Sequence, residues 1–315
     1  MDIIGIILFP FKWILEAILV FFHAALTAIG FGENAGYTWV ASIVGLVLVV
    51  RAALIPLFVK QIRTQRSMYT MQPELTKLQK KYKGRTDRDS REAMAREQMA
   101  IYKKHGSSPF ASCLPLLAQM PVFFSLYTTL TEAQQSKPGV GLLSTELSQS
   151  FAKSNFLGAS LSETFLTATS PSVMIMAGVM IVLMSGSQFI TQKQIMAKNQ
   201  NPDVQNSQYA QMQKVMLYAF PAIFLVTGIS FPLGVLIYWL VSNFWTMGQQ
   251  YFVIRRMPTP GSIAHKEREA RMQKKGKGTT PAIETPSEEP ETPQPTQRVQ
   301  PVSKSRAKKK PKGKK

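Results

Sequence analysis

Three histidines, one cysteine and eighteen carboxylates are the reactive side chains of this 315-residue chain, and their spacing builds little from them. His23, His105 and His265 fall in separate segments, Cys113 stands alone, and there is no HExxH, Gly-rich phosphate loop or metal-ligand cluster. One cysteine cannot form a disulfide within the chain. Neither a metal, a cofactor nor catalysis is therefore expected. Arg51 is different. It lies inside SIVGLVLVVRAALIPLF, Ser42–Phe58, a stretch that reads as a membrane span. A guanidinium cannot be neutralised, and holding one near mid-span costs roughly 2.5–3.5 kcal/mol on insertion scales. Two readings remain open. The side chain snorkels about 12 Å toward the cytoplasmic end of the helix, or it faces a water-containing cavity open to the cytoplasm. A solvated cation in such a cavity binds polar or acidic groups weakly and reversibly.

The elements that must hold Arg51 are apolar. Thr38–Val59 is long enough to cross about 30 Å of hydrocarbon. Phe110–Leu130 follows with Pro115 and Pro121 inside it, then Ser172–Ile190. Val215–Phe252 is too long for one span and carries GISFPLG, a turn composition, in its middle. The fold class expected is an all-α integral membrane protein with five spans, at about 38–59, 110–131, 172–191, 214–229 and 233–253. Within the four stretches Arg51 is the only Asp, Glu, Lys, Arg or His. Intramembrane proteolysis and proton-coupled transport need carboxylates or His there. Other polar groups that could line such a cavity are Gln119, Ser125, Gln188, Gln192, Tyr238, Ser242 and Asn243. Singly each is a helix–helix contact; together with Arg51 they suggest a wet groove. Val215–Thr227 and Ser172–Ile190 are short, which would thin the bilayer locally.

Residues 3–30 are apolar but carry Lys12, Glu16 and His23 on one helical face. An interfacial helix in segment 1–36 is expected, with a cleaved signal peptide the other reading, weakened because the chain opens Met-Asp-Ile-Ile. Between the first two spans, residues 60–108 hold 13 basic and 5 acidic side chains. Met68, Met71, Leu75, Leu78 and Tyr82 form an apolar stripe; Gly84 interrupts it, and capping over Thr86–Asp89 restarts a helix bearing Met94, Ile101 and Tyr102. This reads as a helical hairpin. Residues 258–315 are rich in Pro, Glu, Thr and Lys, are expected to be disordered, and end in KSRAKKKPKGKK. Residues 254–315 hold 17 basic and 6 acidic side chains, whereas 132–172 holds 2 and 3. The positive-inside bias puts the hairpin and C-terminus in the cytoplasm. Lys308, Lys309, Lys310, Lys312, Lys314 and Lys315 suit rRNA phosphates or anionic lipids.

Three stretches carry a resemblance: VVRAALIPLFVKQIRTQRSMYTMQPELTKLQKKYKG, REQMAIYKKHGSSPFASCLPLLAQMPVFFSLY and SFPLGVLIYWLVSNFWTMGQQ. In order and spacing, over about residues 4–256, the chain resembles the YidC/Oxa/Alb membrane protein insertases. The resemblance implies a core at 37–257 of five membrane helices around a cytoplasm-open hydrophilic groove, a cytoplasmic hairpin and an amphipathic outer helix. It implies a bacterial plasma-membrane protein that inserts and folds nascent membrane proteins, alone or beside the Sec translocon, and receives ribosome-bound chains. Arg51 matches the groove arginine, Tyr238 and Trp239 match groove aromatics, and Gln192, or Gln188 one turn earlier, matches a polar groove position; Gln119 and Asn243 join the candidate set. Val47 departs from the pattern, being often polar in well-studied members. The large extracytoplasmic domain of some Gram-negative members is not found. A small-solute channel or transporter, and a ribosome or anionic-lipid tether, are the competing readings.

Overall fold

The computed structural model describes residues 3–106, 108, 114–199 and 208–274. Helix α1 (Ile3–Ala28) turns through Gly30 into α2 (Gly36–Ala53). Helix α3 (Ile55–Lys81) and α4 (Arg88–Lys104) form a hairpin. Then come α5 (Leu114–Gln134), α6 (Thr145–Lys153) and a two-stranded antiparallel ladder, β1 (Asn155–Phe156) with β2 (Ala159–Ser160). The bundle closes with α7 (Pro171–Asn199), α8 (Gln208–Thr227), a 3-10 turn at Gly228–Ser230, and α9 (Leu233–Arg256), followed by α10 (Ile263–Lys274). The fold is all-α apart from the β1–β2 ladder. Met1–Arg268 forms one compact unit and Glu269–Lys315 another, the latter described only as far as residue 274.

The first expected span, 38–59, is instead split. Pro56 has no N–H to donate back into the preceding turn, so α2 stops at Ala53 and α3 starts at Ile55. Helices α7 and α8 run past their apolar stretches, with 29 and 20 residues, about 43 and 30 Å. Neither is short, so the expected bilayer thinning has no basis in helix length. By length and composition, the helices suited to crossing a membrane are Gly5–Ala28, Gly36–Ala53, Pro171–Lys198 and Gln211–Ser230. The set includes α1, which the sequence reading laid on the surface. It omits α5 and α9, whose Gln, Thr, Pro, Tyr and Trp residues dilute their apolar character.

The core lies where α9 packs against both α7 and α2, with α1 against α2 and α5 against α1. Trp39, Ile43, Leu46, Val47, Met184 and Leu236 have no solvent exposure. The three polar residues of α1 point inward rather than to water. Lys12 Nζ donates to Glu132 Oε2 on α5 at 2.6 Å. The Glu16 carboxylate accepts the backbone N–H groups of Val140 and Gly141 at 3.0 and 2.7 Å. His23 stacks on Trp39 at 4.1 Å, and its Nε2 meets the Glu33 carbonyl at 3.0 Å. The opposite face, with Ile6, Phe9, Trp13 and Phe21, is exposed. A polar stripe marks one side of a helix, and buried partners on α5 and the 137–141 loop claim it here.

The 135–170 segment packs over the end of the bundle where α2 begins. Leu143, Phe151, Ala159 and Leu161 are buried there. Trp39 Nε1 donates to Ser150 Oγ at 3.2 Å, and the N–H groups of Leu233 and Gly234 donate to the carbonyls of Glu163 and Leu161, both at 3.0 Å. Gln134 Nε2 donates to the Ser162 carbonyl. At the other end the hairpin forms as expected. Met68, Met71, Leu75 and Leu78 are buried, with Ile101 and Tyr102 facing them. The cap of α4 is Asp87, which accepts the Ser90 N–H at 2.8 Å. Residues 263–274, expected to be disordered as part of 258–315, form α10. Ser262 caps it, Ala264 packs on Ile195 and Ile254, and Glu267 pairs with Lys198. The local run IAHKEREARMQK is rich in helix formers, which the composition of the whole tail obscures.

Candidate functional site

Arg51 on α2 lies near Tyr238 of α9, which is hydrogen-bonded in turn to α5. Because α2 ends at Ala53, Arg51 lies in its last turn, two residues from the end rather than eight. A cation there complements the negative end of the helix dipole. Arg51 is half-buried and, among the described residues, makes no ion pair or hydrogen bond. Its polar neighbour is the Tyr238 hydroxyl of α9, which lies within electrostatic reach of the guanidinium. Tyr238 is buried, and its hydroxyl accepts from Gln119 Nε2 of α5 at 3.3 Å. Ser242, one turn further along α9, lies beside that hydroxyl. Val47, one turn before Arg51, is fully buried. The polar company of the arginine thus comes from α5 and α9, and not from its own helix.

Other expected residues fall elsewhere. Trp239 turns to the next flank of α9, into rings from α5, α8 and the following turn: Phe123 at 4.9 Å, Phe224 at 5.0 Å and Phe231 at 5.2 Å. Tyr127 extends the set by an edge contact with Phe231 at 5.7 Å. Asn243 Nδ2 donates to the Met184 carbonyl of α7 at 3.4 Å, a helix–helix contact. Gln188 and Gln192 lie half-buried one turn apart on α7, and among the described residues neither hydrogen-bonds to the Arg51 group. Ser125 Oγ donates to the Leu8 carbonyl of α1 at 3.4 Å and belongs to that contact. Lys308, Lys309, Lys310, Lys312, Lys314 and Lys315 lie outside the described residues, as does Cys113. His23, His105 and His265 sit on α1, at the end of α4 and on α10. Among the described residues no three His, Cys, Asp or Glu side chains are grouped to hold a metal.

Sequence reasoning missed the Phe123–Phe224–Phe231 cluster. In an apolar span a phenylalanine facing lipid and one facing a partner helix look the same.

This arrangement can hold a charge at one end of a bundle without a fixed counter-charge, and it can offer an aromatic surface beside it. Among the described residues it brings together no nucleophile–base pair and no metal-ligand set. The family model described as 60Kd inner membrane protein matches residues 30–260, most of the chain and all of the helices that surround Arg51. The chain belongs to the YidC/Oxa/Alb membrane protein insertase family. A protein named membrane protein insertase YidC from Tropheryma whipplei (strain Twist) is 43% identical over 320 aligned positions, covering 98% of this chain and 97% of that protein. One of the same name from Streptomyces avermitilis is 43% identical over 282, covering 87% and 63%. The Mycobacterium leprae protein is 30% identical over 311, covering 91% and 77%. Membership of the insertase family, together with the four apolar helices, makes this a multi-pass protein of the bacterial inner membrane.

Proposed function

We propose that this chain inserts and folds nascent membrane proteins through a hydrophilic groove built around Arg51. The single observation that carries the reading is a guanidinium with no ion-pair partner among the described residues, whose polar neighbour is the Tyr238 hydroxyl of α9, itself held by Gln119 of α5. An arginine bound in a tight pair would be committed, and breaking such a pair is costly. One that faces only a neutral hydroxyl can accept a passing acidic or polar segment and release it.

The rest of the reading follows from which end is closed. Arg51 stands fifteen residues along α2 from Gly36, about 22 Å. At the Gly36 end the 135–170 segment packs tightly; at the Arg51 end the chain continues into the basic hairpin. With the positive-inside bias, the groove opens to the cytoplasm and is sealed on the other side. The five spans of this reading are α2, α5, α7, α8 and α9, with α1 on the outer face. The Phe123–Trp239–Phe224 bridge lies between α5 and α8, where it offers an apolar segment a soft route sideways into lipid. Glutamines 188 and 192 line the far wall. The basic tail, including Lys308–Lys310, Lys312, Lys314 and Lys315, holds the ribosome or anionic headgroups, and the Sec translocon is a second partner.

The test is replacement of Arg51 in cells depleted of the native protein, with several dependent substrates followed. Arg51→Ala impairs insertion of at least some of them, and Arg51→Lys restores more than Ala does. Insertion undiminished for every substrate would sink the groove reading.

A further inference from the structure

The turn joining β1 to β2 is made by Leu157 and Gly158, both in the left-handed region at φ 51° and 77°. A two-residue hairpin turn that needs positive φ at both positions is normally filled by Asn, Asp or Gly. A leucine crowds its own backbone there. The side chain gains nothing from the protein in return, being 78% exposed. Within the isolated chain the residue is disfavoured twice, once by its backbone and once by water.

Its position accounts for both. The backbone of Asn155 lies so close to Gly36, the first residue of α2, that any side chain at position 36 would collide with it. On the other side Gly158 faces Ser172 in the first turn of α7; a methyl group added at 158 would stand 3.6 Å from the Ser172 hydroxyl. Helices α2 and α7 are both long and apolar enough to cross a membrane, and both begin beside this turn. Exposed apolar side chains continue along their first turns at Tyr37, Met174 and Ile175, and Ile29 and Phe31 precede α2. The turn therefore stands at the level where two membrane helices enter the bilayer. Strained residues persist where surroundings outside the local chain favour them. Here the surroundings are hydrocarbon.

We infer that the Leu157–Gly158 turn is a membrane anchor, with the Leu157 side chain inserted among the acyl chains of the adjacent leaflet. The occupant of this surface is lipid, because the patch is continuous with the apolar flanks of two spans. The strand behind the turn packs a half-buried Phe156 against the core of the bundle, so the anchor fixes the height of the 135–170 segment against the membrane. The inference rests on α2 and α7 crossing the bilayer, and it is independent of Arg51 and of insertion activity.

The test uses the full chain in vesicles of phosphatidylethanolamine and phosphatidylglycerol. A nitroxide is attached at Leu157→Cys in a Cys113→Ser background, with Asp89→Cys on the exposed hairpin as the aqueous reference. Power saturation then compares collision with oxygen, which concentrates in hydrocarbon, and with a water-soluble nickel chelate. Oxygen should dominate at 157 and the chelate at 89. Because a nitroxide could itself seek lipid, a second label at Asn155→Cys is read with Leu157 intact and with Leu157→Asn, which keeps the left-handed turn without the apolar side chain. Its oxygen accessibility should fall in the Leu157→Asn chain. Dominance of the chelate at 157, protection from both reagents as under a protein partner, or an unchanged reading at 155 overturns the inference.

Discussion

Arg51 and the residues around it divide the work of holding a charge. The guanidinium rests at the end of α2, Tyr238 lies within its electrostatic reach from α9, Gln119 of α5 donates to that tyrosine, and Val47 supplies only apolar packing. Removing the Tyr238 hydroxyl with Tyr238→Phe leaves the Gln119 amide without its acceptor. A neutral hydrogen bond of this kind contributes about 0.5–1.5 kcal/mol, so a small fall in thermal stability in detergent is expected. The larger effect is on the orientation of Arg51 and on insertion. On α1, Glu16 is fully buried and accepts two backbone N–H groups. Glu16→Leu leaves both donors unsatisfied and is expected to cost about 1–3 kcal/mol, read as a lower unfolding midpoint. Arginine was legible as the singular residue because nothing else ionisable shares its apolar stretch. Its depth was not, because the break after Ala53 comes from Pro56, and a proline within an apolar run does not say whether it kinks a span or ends one.

Among the elements, the hairpin was the most legible. Its stripe of Met68, Met71, Leu75 and Leu78 stands out against a polar background, so the helical period can be read directly. Met71 is fully buried, and Met71→Ala is expected to destabilise the hairpin by about 2–5 kcal/mol, seen as faster amide exchange across residues 68–102. Its polar contacts add a dependence on pH. Hydrogen bonds from Lys81 and then Tyr82 hold the Glu97 carboxyl below the usual carboxylate range, and the Ser90 side chain and N–H do the same for Asp87. A depressed folded value means that the stabilisation is complete above the unfolded value and is lost as the pH falls through the lowered one. Hairpin stability should therefore stay level from neutral pH down to the ordinary carboxylate range and decline below it. Glu97→Gln should flatten that decline, as measured by denaturant midpoints across the acid range. Helix α1 was harder to read. Its polar stripe at Lys12, Glu16 and His23 is visible in the sequence, but a stripe facing water and one facing buried partners have the same spacing.

At the scale of the whole molecule, one end is packed shut and the other carries the charge. The loop charges, 13 basic and 5 acidic at 60–108 against 2 and 3 at 132–172, are the basis of the expected orientation, and the 135–170 segment packs over the end where α2 begins. The aromatic bridge of Phe123, Trp239 and Phe224 could not be foreseen, since Phe123 lies 116 positions before Trp239 in sequence and meets it only in the folded bundle. On the groove reading proposed above, Trp239, turned into this bridge, and Arg51 serve successive stages of passage. The most direct measurement is site-specific photocrosslinking to a ribosome-stalled nascent membrane protein, from probes at Gln119, Tyr238 and Trp239. Polar flanks of the nascent chain should crosslink to 119 and 238, and its apolar segment to 239, with the first set lost in Arg51→Ala. Absence of nascent-chain adducts at all three positions, from a chain that still inserts the substrate, would contradict the account.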